Sequence, residues 1–150
     1  MITFDSGFGT STGAPIRVTC HSALRPRLQL ALKRARNFSA FGRKDRVNRI
    51  DSFNCRVIAG TSTLSNHGRG AAWDIFATDP GVPPPGGVFQ PDDTFGRDFA
   101  ACFTDLGFRW GGEFDRPDDP HMEWPGEFVP PLTMRERART RRLAKERVGQ

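Results

Sequence analysis

Cysteine is scarce: three residues in 150, at positions 20, 55 and 102, with no Cys-x-x-Cys pair among them. An odd, widely spaced set indicates neither a disulfide framework nor a cysteine-based metal knuckle, so buried free thiols are expected, with a Cys20 to Cys55 bridge as the alternative outside a reducing compartment. No apolar run approaches a membrane span, and no segment repeats. Met1 to Gly13 has no basic stretch followed by an apolar one, which predicts synthesis in a cytoplasm without an export signal. A pI near 9.8 invites a nucleic-acid reading. The basic residues form no recognised nucleic-acid motif, however, so neither nucleic acid nor membrane is an expected partner.

What is present is an uneven charge distribution. Residues 17–56 carry 11 basic side chains against 2 acidic, residues 57–132 carry 4 against 12, and residues 133–150 carry 7 against 2. The acidic middle suits a site that holds a cation. The basic flanks face either those acids or an anionic polymer, with neutralisation inside the molecule the simpler account. A chain of this length suits a single catalytic unit, residues 1–131, followed by a basic helical extension, residues 132–150.

The pattern along the chain predicts an α+β fold, a small antiparallel sheet flanked by helices. Ser22 is placed to cap a helix running to Asn37, with Leu24, Leu28, Leu32 and Ala35 as its apolar stripe. Phe53 to Ile58 reads as a strand. Residues 78–91, with three consecutive prolines, read as a long surface loop. Asp92 or Asp93 opens a second helix with Phe95, Phe99, Cys102, Phe103 and Leu106 on one face, ending at Gly107. Phe108 to Trp110 and His121 to Trp124 read as paired strands, with Trp110 and Trp124 in the core. After Pro130-Pro131 the sequence turns rich in Arg, Ala and Glu, a composition with good helix propensity and few apolar anchors.

Two short blocks carry chemistry. In Ser65-Asn66-His67-Gly68-Arg69-Gly70-Ala71-Ala72-Trp73-Asp74, two potential ligands stand seven residues apart. Ligands of one zinc ion must both come within about 2.0–2.2 Å of it. A helix would separate them by roughly 10 Å along its axis, and one strand would point them to opposite faces. A glycine-permitted turn remains: His67 just before it and Asp74 on the returning strand, with Trp73 and Ile75 buried on the other face. The second block, Asp118-Asp119-Pro120-His121-Met122-Glu123, supplies His121 as a third ligand. It also supplies Asp118, or with less support Asp119, as a carboxylate able to take a proton from the attacking water. Glu123 shares the strand face of His121 and is placed to orient its imidazole.

The Ser-x-His-x-x-Gly-x-Ala-x-Asp block, followed by Trp110-Gly111-Gly112 and Asp-x-Pro-His-x-Glu, resembles the M15 zinc peptidases, the group of D-Ala-D-Ala carboxypeptidases and L-alanyl-D-glutamate endopeptidases. The resemblance runs from about Phe53 to Trp124. It implies zinc as cofactor, with His67, Asp74 and His121 as ligands and Asp118 as general base. It further implies Ser65 and Arg56 as residues that hold substrate, and peptidoglycan stem peptides as that substrate. Short members of the group without an export signal resemble phage lysins and virion-associated wall hydrolases, which points to an endopeptidase reaching the wall by lysis-time release or within a virion. Two other readings stand beside it: a D-Ala-D-Ala carboxypeptidase, and a virion structural or wall-binding module that retains the zinc fold. The basic tail would then contact an anionic wall polymer or another phage protein.

Overall fold

In strand β1, Ile2–Gly9, every second residue from Phe4 to Phe8 turns inward, and strand β2, Pro15–Cys20, buries Ile16, Val18 and Cys20 in the same alternating way. The two pair antiparallel as a hairpin, with Phe4 opposite Val18. The computed structural model describes residues 1–9, 13–37, 47–52, 66–77, 94–118, 120–126 and 128–138. The hairpin is not anticipated above, because Ser6 and the glycines at 7 and 9 dilute its apolar alternation. The proposed strand at 53–58 and the loop at 78–91 lie outside the described residues.

Helix α1, Arg25–Asn37, follows a short 3-10 turn at Ser22–Leu24. Its cap is His21, whose Nδ1 accepts from the Ala23 amide at 3.2 Å, and not Ser22, which is the first residue of the turn. An imidazole with a free lone pair can replace a hydroxyl in this role. Leu24, Leu28, Ala31, Leu32 and Ala35 form the buried stripe, one residue wider than the sequence pattern predicts. Helix α2, Thr94–Thr104, packs across α1 and buries Phe99, Cys102 and Phe103. The chain then turns at Gly107, whose φ of +94° lies in the left-handed region.

A four-stranded antiparallel sheet lies beneath, in the order β3-β4-β6-β5: Val47–Asp51, Ala72–Ala77, His121–Glu123 and Arg109–Trp110. Strand β3 is a second element the sequence reading lacks. The fold is thus α+β, as the sequence predicts. Trp73, Ile75, Met122 and Trp110 point from this sheet into the core with Phe103 and Phe108, and Trp124 closes its edge. Cys20 and Cys102 are buried and outside any disulfide, and burial pushes the Cys20 pKa up to about 11, which keeps it protonated and unreactive.

Two buried arginines tie the outer elements together. Arg34, on α1, reaches Asp105 beyond the end of α2 at 3.1 Å. Arg27, only 4% exposed, lies over the Trp124 ring and donates to the carbonyls of Leu106, Pro130 and Pro131 and to Glu136. The segment after Pro130-Pro131 is therefore fastened to α1. Leu132 packs against the core, and residues 134–138 form a helical turn capped by Thr133, whose hydroxyl accepts from the Glu136 amide.

Candidate metal centre

The two sequence blocks meet on one face of the sheet. Asp74 on β4 pairs directly with His121 on β6, so their side chains rise from adjacent strands on the same side. His67 arrives by another route. It sits inside the turn from Asn66 to Gly70, not before it as expected, because the Ala71 amide returns to the Asn66 carbonyl and the Gly70 amide to the His67 carbonyl. Gly70 adopts φ +68°, and a Cβ there would press on the backbone nitrogen of His21, which itself donates to the Gly70 carbonyl. Only glycine meets both demands.

The outcome is a three-residue cluster. One ligand atom each from His67, Asp74 and His121 lies within 4.8 Å of the other two. Asp74 Oδ1 is 3.5 Å from His67 Nε2 and 3.3 Å from His121 Nδ1, and the two imidazoles meet edge to face with centroids 5.1 Å apart. The outward nitrogens face acceptors: His67 Nδ1 lies 3.3 Å from the Ser52 carbonyl, and His121 Nε2 lies 2.8 Å from Glu123 Oε1. An acceptor on the outer nitrogen fixes the ring proton there and turns the lone pair of the inner nitrogen towards Asp74. Three electron-rich atoms thus converge, a donor set of two nitrogens and one oxygen that fits a divalent cation such as zinc.

Glu123 is the pivot of the outer arrangement. It is 5% exposed and accepts from three elements: His121, Asn66 Nδ2 at 2.7 Å and Arg109 Nη2 at 2.9 Å. Burial raises its carboxyl pKa, but His121 and Arg109 outweigh that and hold it below the ordinary value. For His121 burial pulls the pKa down, while the hydrogen bonds and charges of Asp74 and Glu123 carry it up to about 9 without a cation, so a bound cation would displace the proton of its inner nitrogen. One carboxylate therefore locks the His67 turn, through Asn66, to the strand that bears His121.

Asp118 stands at the mouth of this cluster, 54% exposed, with Oδ2 4.0 Å from His121 Nδ1. The rim that carries it is drawn in by the Gly111 carbonyl, which accepts from the amides of both Phe114 and Asp118, while the Asp118 carbonyl accepts from the His121 amide. Gly111 has no room for a side chain: a Cβ would collide with the Asp118 carbonyl oxygen and lie 2.8 Å from His121 Cβ. Arg56, Ser65 and Asp119 fall outside the described residues. Asn66, Arg109 and the Ser52 carbonyl are supporting groups that the sequence reading does not name. Asn66 adjoins His67 in the sequence, a local signal for a supporting role, whereas Arg109 and Ser52 depend on strand pairing. Trp110 and Trp124, 2% and 8% exposed, belong to the core as expected.

Residues 59–124 match a family profile described as D-alanyl-D-alanine carboxypeptidase, a peptidase of the M15 group. No curated protein matches the chain.

Proposed function

We propose that this chain, whose residues 59–124 match the M15 peptidase family, acts on peptidoglycan as a zinc-dependent endopeptidase that hydrolyses the L-Ala to D-Glu bond of the stem peptide. The observation that carries the reading is the convergence of His67 Nε2, Asp74 Oδ1 and His121 Nδ1, each imidazole held from outside by an acceptor, beside an exposed carboxylate. A purely structural metal site has no use for that carboxylate.

Zinc held there supplies a Lewis acid for the scissile carbonyl and acidifies the attacking water. The rest is the work of this chain. Asp118 accepts the proton of that water and returns it to the leaving amine. Its exposure lets it meet a water and a substrate at once, and the Gly111 carbonyl keeps its backbone in place. Glu123 and the Ser52 carbonyl hold the two imidazoles in the tautomer that leaves Nδ1 of His121 and Nε2 of His67 as acceptors. Ser65 and Arg56 are assigned the substrate's polar ends on the strength of the motif.

The more-than-half exposed Asp118 supports an endopeptidase, since an internal bond needs a cleft open on both sides. The description of the matching family favours the second reading, removal of a terminal D-Ala. Mass spectrometry of products from defined muropeptides separates them: a new N-terminal D-Glu is expected, and free D-Ala as the sole small product would replace the first reading by the second.

A further inference from the structure

Arg109 is a cation on the metal face whose chemistry the proposed reaction leaves unused. It stands opposite Glu123 in the β5–β6 pair, and Glu123 lies two residues from His121 on the same strand face. Its Nη2 donates to Glu123 at 2.9 Å, and its guanidinium lies over the Phe114 ring, 5.0 Å from the centroid. Phe114 in turn packs on the His121 ring at 5.7 Å. The guanidinium is thereby fixed in position and plane, yet the side chain is 56% exposed and its other N–H groups meet no partner among the described residues.

A guanidinium has five donors in a rigid fork matched to a carboxylate. Neutralising Glu123 needs one of them, and Asn66 and His121 already serve that carboxylate. The rim beside it carries Glu113, Asp115 and Asp118 against Arg116, all exposed, a net negative segment that favours an approaching anionic group at Arg109 over the rim. From the inner nitrogen of His121 to Arg109 is the width of one imidazole and one carboxylate. At about 3.3–3.6 Å per extended residue, a substrate group held by Arg109 belongs to a residue within one or two of the scissile bond.

We propose that Arg109 forms a carboxylate-binding subsite of this cleft and that its ligand is the free α-carboxylate of the D-Glu residue beside the scissile bond. This rests on the stem-peptide reading above, and it makes the protein selective for wall peptides in which that carboxylate is not amidated.

The test compares two synthetic stem peptides that differ only in carrying D-Glu or its α-carboxamide. Binding is measured by calorimetry on the zinc-loaded Asp118→Ala protein, and turnover on the unsubstituted protein. The free acid is expected to bind about tenfold more tightly, the worth of a charge-assisted hydrogen bond. Adding Arg109→Gln should collapse the ratio towards one, and Arg109→Lys should restore part of it. Equal binding of both peptides, or a uniform loss in Arg109→Gln with the ratio kept, overturns the proposal and leaves Arg109 as a support for Glu123. Absence of turnover on either peptide, with the binding ratio intact, sinks the hydrolysis reading and not this one.

Discussion

Two clusters of polar and charged groups, one around Arg27 and one around Asp74, are built on opposite plans. Around Arg27, donors meet acceptors: one guanidinium receives three carbonyls and the Glu136 carboxylate, and only its Nε is left without a partner. Around Asp74, atoms that can all serve as acceptors converge: one nitrogen from each of two imidazoles and a carboxylate oxygen, with a proton on His121 standing where a cation would bind. The first cluster is complete and serves as a fastening. The second is incomplete without a cation, and the protein has used buried hydrogen bonds to Ser52 and Glu123 to keep it so.

The largest effect is expected where the incomplete cluster does its chemistry. Asp118→Ala should lower turnover on purified peptidoglycan by about 10²–10⁴-fold with zinc stoichiometry unchanged, because the base lies beside the ligands and not among them. Loss of metal in that variant, read by atomic absorption, would place Asp118 in the wrong role. His67→Ala and His121→Ala should lose the metal itself.

Breaking the complete cluster should cost folding stability and spare metal binding. Arg27→Ala strands Glu136 and three carbonyls, and roughly 3 kcal/mol should disappear from a urea titration. Replacing both charges, Arg27→Met with Glu136→Leu, should recover part of it. A double variant as unstable as the single one would mean that the carbonyl contacts, not the ion pair, hold the segment.

How much of this contrast could be read in the sequence follows from the range of the interactions. The face of β4, with Asp74 out and Trp73 and Ile75 in, is local alternation, and so is the placing of Asp118, His121 and Glu123 on one short segment. Arg27 reads as the polar flank of a helix. It is buried only because residues 130–136 return across α1, a contact more than 100 positions distant in the chain that no periodicity encodes. Arg109 is hidden for a similar reason: a two-residue strand has no pattern of its own, and its partner Glu123 is fixed by register. The β1–β2 hairpin and β3 are not legible in the sequence because their apolar alternation is broken by small and charged residues. That His67 lies inside its turn and not before it is hidden too, since the turn is closed by backbone bonds that residue types do not reveal.

Smaller effects sharpen the comparison. Glu123→Gln keeps the shape but weakens the grip on His121, and zinc affinity should fall by about 10–100-fold in a chelator competition. An unchanged affinity would show that Asn66 and Arg109 orient a carboxamide equally well. The smallest effect is in acid. Burial raises the Glu136 pKa, but the Thr133 amide and Arg27 outweigh it and hold it below the ordinary 4.5. A carboxylate with a depressed folded pKa adds stability that is fully present above the unfolded value and fades as pH falls through the folded one. Between pH 5 and pH 3 the unsubstituted protein should therefore lose more stability than Glu136→Gln, by differential scanning calorimetry at matched ionic strength.

The crowding at Gly111 has a consequence for anyone who would reshape the cleft. The spacing between base and ligand is set by a missing methyl group: the Asp118 carbonyl and the His121 Cβ occupy the space a side chain would take. Latitude for redesign lies instead at positions 113 and 115–117, where side chains face solvent and substitutions can retune which peptides are admitted. A larger residue at position 111 would act like a shim driven beneath a bearing, moving the working parts out of alignment without touching one of them.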